Sequence, residues 1–151
     1  MKRRGFLRAA GAAAAAASLP ASGQALLPRH DIAALVAEIT GGAVPERGGV
    51  TVELPSLAEN GNFVPLRIRV ASPMTAEDHV TALHVLSERN PRPRIATFRL
   101  GPPSGRAEVA TRVRLAVAQK VTVLAALSGG RFRVGEAEVF VTSAACIDEG
   151  A

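Results

Sequence analysis

"VPLRIRV", Val64 to Val70, decides the fold. Val64, Leu66, Ile68 and Val70 occupy every second position, and Pro65, Arg67 and Arg69 fill the gaps. A repeat of two is the signature of a strand with one buried face and one wet face. The same alternation recurs on either side. It appears in "VTVEL" (Val50 to Leu54), "RIATFRL" (Arg94 to Leu100), "AEVATRVRLA" (Ala107 to Ala116) and "EAEVFVTS" (Glu136 to Ser143). "HVTALHVLS" (His79 to Ser87) is a more apolar strand, and "KVTVLAAL" (Lys120 to Leu127) completes the set.

Turn-forming stretches separate these segments: "ENGN", "SPMT", "ERNPRP", "GPPSG" and "LSGGR". Seven short strands at this spacing predict a mainly β chain folded as an antiparallel β-sandwich. The Cys–Trp–Cys pin of immunoglobulin domains is missing, so the sandwich expected here is a disulfide-free variant. Trp and Tyr are absent, and the core must be built from Val, Ile, Leu and Ala. Ahead of the strands, "DIAALVAEITGG" (Asp31 to Gly42) has the helical period. Asp31 is placed to cap it, Ile32, Leu35, Val36 and Ile39 share a face, and Gly41 and Gly42 end it.

The first 25 residues read as an address. Lys2, Arg3 and Arg4 precede an alanine-rich stretch, no acid occurs before Asp31, and "GQA" (Gly23 to Ala25) offers a cleavage site. A charged start, a short apolar region and a small-residue exit make a signal peptide, and Arg3 and Arg4 are the pair that the twin-arginine route recognises. The apolar stretch is too short and too weakly apolar to span a membrane. This assignment predicts a periplasmic protein, with one domain over residues 31–143 and a C-terminal tail over residues 144–151.

Removing the signal changes the charge argument. The chain carries 18 basic and 13 acidic residues, a formal +5. Lys2, Arg3, Arg4 and Arg8 leave with the signal, so 14 bases face 13 acids and the net charge is about +1. Nucleic-acid binding needs a cationic surplus, and none remains. Export by the twin-arginine route moves folded proteins. With no cofactor motif in the sequence, that route points to a partner carried across with the chain.

Candidate chemistry is sparse. His79 and His84 are five apart in one strand, which predicts opposite faces and no shared metal. Glu77 and Asp78 open a strand, and Glu136 and Glu138 line an outer face as solvated charges do. No nucleophile–base pair or phosphate loop is present, so the chain reads as a non-enzyme. Arg67, Arg69, Arg112 and Arg114 point outward, either to guide an anion or acidic partner or to keep strand edges apart. Cys146, the single cysteine, stands beyond the last strand. A lone exposed thiol in an oxidising compartment forms an intermolecular disulfide or accepts a covalent cargo.

Several stretches together resemble the SoxY family, the sulfur carriers of the bacterial thiosulfate-oxidising Sox system. The most specific are "AENGNFVP" (Ala58 to Pro65), "SPMTAEDHV" (Ser72 to Val80), "SERNPRP" (Ser87 to Pro93) and "TRVRLA" (Thr111 to Ala116), and the resemblance runs from about Asp31 to Cys146. It implies an immunoglobulin-like sandwich paired with a SoxZ-like subunit. It also implies that Cys146 is the covalent attachment site for thiosulfate-derived sulfur, with no cofactor beyond those bound intermediates. The implied clients are a c-type cytochrome complex that conjugates thiosulfate, a hydrolase that removes sulfate, and a sulfane dehydrogenase. The chain departs from the family in its tail. Where the family has glycines around the cysteine, this sequence has Ala144, Ala145, Ile147, Asp148 and Glu149. Alanine narrows the backbone's freedom relative to glycine, Ile147 adds bulk beside the thiol, and the two acids repel an anionic cargo. An alternative reading is a SoxY-like partner-binding module of another periplasmic redox system, its thiol a redox handle or inert.

Overall fold

The computed structural model describes residues 27–143. The signal segment with Arg3 and Arg4, and the tail with Cys146, lie outside the described residues. The first element of the described residues is a helix, α1 (Ile32–Thr40). Asp31 caps it, accepting from the Ala34 amide at 3.1 Å, and Gly41 closes it in the left-handed conformation with φ 65°.

Nine strands follow: β1 (Glu46–Arg47), β2 (Val50–Glu53), β3 (Leu57–Ala58), β4 (Val64–Val70), β5 (Val80–Ser87), β6 (Arg94–Arg99), β7 (Glu108–Val113), β8 (Gln119–Leu127) and β9 (Arg131–Val141). One sheet runs β1-β9-β8-β5-β6, with β3 also pairing β9, and the other runs β2-β4-β7. The two sheets enclose one core, the β-sandwich that the alternation predicts, of the immunoglobulin-like kind that the resemblance implies. All long ladders are antiparallel. The two-residue bridges of β1 and β3 to β9 are parallel, and the period-2 reading did not contain them.

The deciding stretch does what its pattern requires. Along β4, burial alternates residue by residue, with Val64, Leu66, Ile68 and Val70 inside and Pro65, Arg67 and Arg69 outside. Facing them across the core are Leu83 and Val85 of β5 and Val121 and Val123 of β8, all fully buried. Each such side chain contributes about 1.5–3 kcal/mol. Pro65 lies beyond the end of the β2 ladder, where a residue with no N–H to donate is tolerated.

β5 and β8 bury both faces. Leu86, Leu124 and Thr122 are buried on the side away from the sandwich core. α1 is tied to this sheet by Glu38 to Arg94 at 3.7 Å, by the His30 amide to the Glu88 carbonyl, and by His30 Nε2 to the Asn90 carbonyl at 2.8 Å. Its four large apolar residues, Ile32, Leu35, Val36 and Ile39, are all half-buried. Burial of Leu86 and Leu124 on this second side is why β5 and β8 read as nearly continuous hydrophobic runs.

Two element boundaries differ from the expected ones for local reasons. β7 stops at Val113 rather than Ala116 because Asn90 takes over the ladder's groups: its Nδ2 donates to the Arg114 carbonyl and its Oδ1 accepts from the Ala116 amide. β9 begins at Arg131, five residues before Glu136, because Gly135 is an ordinary strand residue here. A Cβ at Gly135 would lie 2.6 Å from the Val50 carbonyl oxygen, so glycine lets β2 cross close against β9.

Candidate functional site

The end of β9 is held on one side by the segment Ser56 to Gly61. The Phe140 amide donates to the Ser56 carbonyl, and the Thr142 amide to the Ala58 carbonyl, both at 3.0 Å. Thr142 Oγ1 donates to the Glu59 carbonyl at 3.2 Å. The Gly61 amide then donates to the Ser143 carbonyl at 2.9 Å, and the Gly61 carbonyl accepts from the Leu115 amide at 2.8 Å. Asn60 shapes this clamp: its Oδ1 accepts from the Asn62 amide at 2.9 Å, the side-chain-capped turn that Asn favours. The chain is therefore pinned by backbone bonds through Ser143, three residues short of Cys146.

The motif "AENGNFVP" thus forms the clamp at the root of the tail. "SERNPRP" forms a buried polar knot. Ser87 Oγ donates to Gln119 Oε1, Asn90 Oδ1 accepts from Gln119 Nε2 at 2.9 Å, and Asn90 reaches β7's end as described. "SPMTAEDHV" makes a tight turn. Met74 takes a positive φ of 55°, unusual for a residue with a Cβ, and its Sδ accepts from the Val80 amide at 3.4 Å. None of these motifs gathers reactive side chains; each fixes a connection between strands.

Two exposed apolar side chains meet on the clamp, and a third follows it in the sequence. Leu57 and Phe140 are register partners in the β3–β9 bridge, 55% and 65% exposed, and Phe63 follows the Asn60 turn at 65%. The fourth large exposed apolar residue among those described, Val44, lies elsewhere, after α1. Sequence reading did not find this patch. The out-facing Phe140 was visible in the alternation, but its neighbour Leu57 enters only through a parallel bridge.

The histidines need one correction. The β5 ladder is irregular between Val80 and Ala82, and Val80, Leu83 and Val85 all enter the core. That irregularity restores the phase, so His79 and His84 each immediately precede a core valine and do not alternate across the sheet. His79 Nδ1 pairs with the Thr75 carbonyl at 3.0 Å and His84 Nδ1 with Thr97 Oγ1 at 3.1 Å. Burial, then the Arg94 and Arg99 cations, pushes the His84 imidazole below its ordinary value. Among the described residues no group of three or more His, Cys, Asp or Glu is placed to hold a metal ion. Glu136 is exposed and meets Lys120 at 3.6 Å, as an outer-face charge.

The arginine rows divide into two sets. Arg69 pairs with Glu53 at 2.9 Å and Glu108 at 3.4 Å, and Arg67 lies 3.9 Å from Glu108, so this pair of cations is already neutralised. Arg112 and Arg114 have no carboxylate within ion-pair distance among the described residues. They line a groove of about 540 Å³ between β6 and β7, the free edges of the two sheets.

Fold and root together define a small β-sandwich that presents a cysteine-bearing C-terminal segment just beyond a clamped last strand. The family model described as "Sulfur oxidation protein SoxY" matches residues 36–146, and the chain belongs to that family of sulfur-oxidation carriers. It is similar to the sulfur carrier protein SoxY from Chlorobium limicola f thiosulfatophilum. That match has 26% identity and a TM-score of 0.60, and covers 74% of this chain and 96% of the other. A search of curated protein sequences finds no match. The fold alone is shared with the superoxide reductase (neelaredoxin) of Ignicoccus hospitalis, at 13% identity and TM-score 0.56 over 62% of this chain and 80% of that one. The same holds for a putative superoxide reductase of Thermotoga maritima, at 16% identity and TM-score 0.54 over 66% and 89%. No helix among the described residues is long and apolar enough to cross a membrane.

Proposed function

We propose that the chain is a periplasmic carrier that holds sulfur intermediates covalently on Cys146 while partner enzymes act on them. Membership of the SoxY family supports this reading, and the observation that carries it is the clamp. The fold pins the backbone through Ser143, and position 146 follows three residues later in the sequence. In loading, the Cys146 thiolate and thiosulfate join through a new S–S bond. The two electrons released go to a c-type cytochrome complex, and the product is an S-thiosulfonate. Water then attacks the terminal sulfur in a hydrolase; sulfate leaves with two protons released, and a persulfide stays on Cys146. A sulfane dehydrogenase then oxidises that remaining sulfur to a sulfonate with oxygens from three waters, six electrons passing to a cytochrome acceptor and six protons to solvent. Hydrolysis of the sulfonate releases a second sulfate and returns the Cys146 thiolate. The chain supplies the thiol and its delivery, and no catalytic group of its own.

The partner in this reading is a SoxZ-like subunit, exported folded with the chain through the twin-arginine signal at residues 1–25. Leu57, Phe63 and Phe140 give it an apolar landing at the arm's root, because exposed apolar clusters of this kind mark contact sites. The second reading, a partner-binding module with the thiol as a redox or disulfide handle, is favoured by the tail's own composition. Ile147, Asp148 and Glu149 replace the slim, uncharged flank expected of a carrier arm. Loading with radiolabelled thiosulfate in the presence of the cytochrome complex separates the two. The carrier reading predicts label on the chain that a reductant releases and that Cys146→Ala abolishes. Cysteine-dependent disulfides without label support the module.

A further inference from the structure

We infer that the acidic C-terminal segment, residues 144–151, docks in cis into the arginine-lined groove between β6 and β7. The groove is built from two free sheet edges. Arg92 stands at its β6 side, Arg112 and Arg114 stand on the β7 side, and Ile95 and Phe98 form an apolar floor packed against the core. No carboxylate lines it, and none of the three arginines is ion-paired among the described residues. This contrasts with Arg67 and Arg69 one strand over, whose charges are matched by Glu53 and Glu108. Three unmatched cations over an apolar floor fit a short peptide that carries two acids beside one aliphatic side chain. The tail sequence Ile147-Asp148-Glu149 has that composition.

The chain also ends in the right place. Ser143 is one residue away from β7's end through Gly61, which bonds Ser143 on one side and Leu115 on the other. Leu115 follows Arg114, and the Arg114 carbonyl is held by Asn90, itself a groove residue. The five residues from Ser143 to Asp148 span at most about 17 Å when extended, enough to enter the groove from this end. Docking holds Cys146 against the folded body. Partners or ionic strength that compete for the arginines release it. The inference concerns the tail's acids and not the cargo, so its failure leaves the carrier reading standing.

The test is amide chemical shifts of the full chain, kept reduced, compared with Asp148→Lys/Glu149→Lys. Docking predicts shifts on both walls, at Arg92 to Phe98 and Thr111 to Arg114, that persist on dilution. They collapse near about 1 M salt, where the screening length falls to about 3 Å. Arg112→Glu/Arg114→Glu alone abolishes them, and combining it with the lysine tail restores them. These arginines are exposed, so the variants keep the fold. Shifts confined to residues 58–61 and 140–143 overturn the inference. Wall shifts that vanish on dilution also overturn it, because the occupant is then the tail of a second copy.

Discussion

Asn90 shows how much a single side chain carries in this small core. It donates to the Arg114 carbonyl, accepts from the Ala116 amide and Gln119, and through its own amide reaches Ser87. Asn90→Ala strands two buried donors, which costs about 2–4 kcal/mol. The urea midpoint should fall with the slope unchanged. His84 acts through pH. Its folded value is lowered from 6.5, so the unfolded chain binds the proton more readily. Its contribution is therefore complete above pH 6.5 and is lost as pH falls from there through the lowered folded value. His84→Gln should flatten that part of the stability–pH curve. Glu88 acts in a separate, more acidic window. Burial raises its carboxyl, but the Lys120 amide and the Arg29 guanidinium outweigh that and hold it below 4.5. Stability from Glu88 is present above 4.5 and lost below it.

At the scale of elements, β2 and β9 set the closure of the sandwich. Gly135→Val places a Cβ within 2.6 Å of the Val50 carbonyl and forces the two strands apart. The expected loss is about 1–3 kcal/mol, read in thermal unfolding, with the helix and the β4–β7 ladder intact. The same elements show what was legible in the sequence. β4, β6 and α1 were plain because their periods, caps and turn residues agree. β1 and β3 were hidden because a two-residue parallel bridge has no period to detect. β7's true end was hidden because it is fixed by Asn90, more than twenty residues away in sequence. The root clamp was visible only as a family motif, since its bonds are backbone bonds. The groove escaped reading because it forms where two sheet edges from distant segments meet.

At the scale of the molecule, the described fold is anchored up to its last residue. The sandwich holds the end of β9 through Ser143 with bonds from a separate segment, and Cys146, the proposed attachment position, follows three residues later in the sequence. An exposed apolar patch at that root and a cationic groove beside it offer two surfaces for whatever meets the arm. This arrangement suits a protein whose chemistry is done by others. The most direct measurement is the intact mass of the protein isolated without reductant from thiosulfate-fed cells, beside Cys146→Ala. A carrier predicts S-sulfonate, thiosulfonate or sulfane adducts on the wild type and none on the variant. An unmodified thiol in both fed and unfed cells would contradict the account.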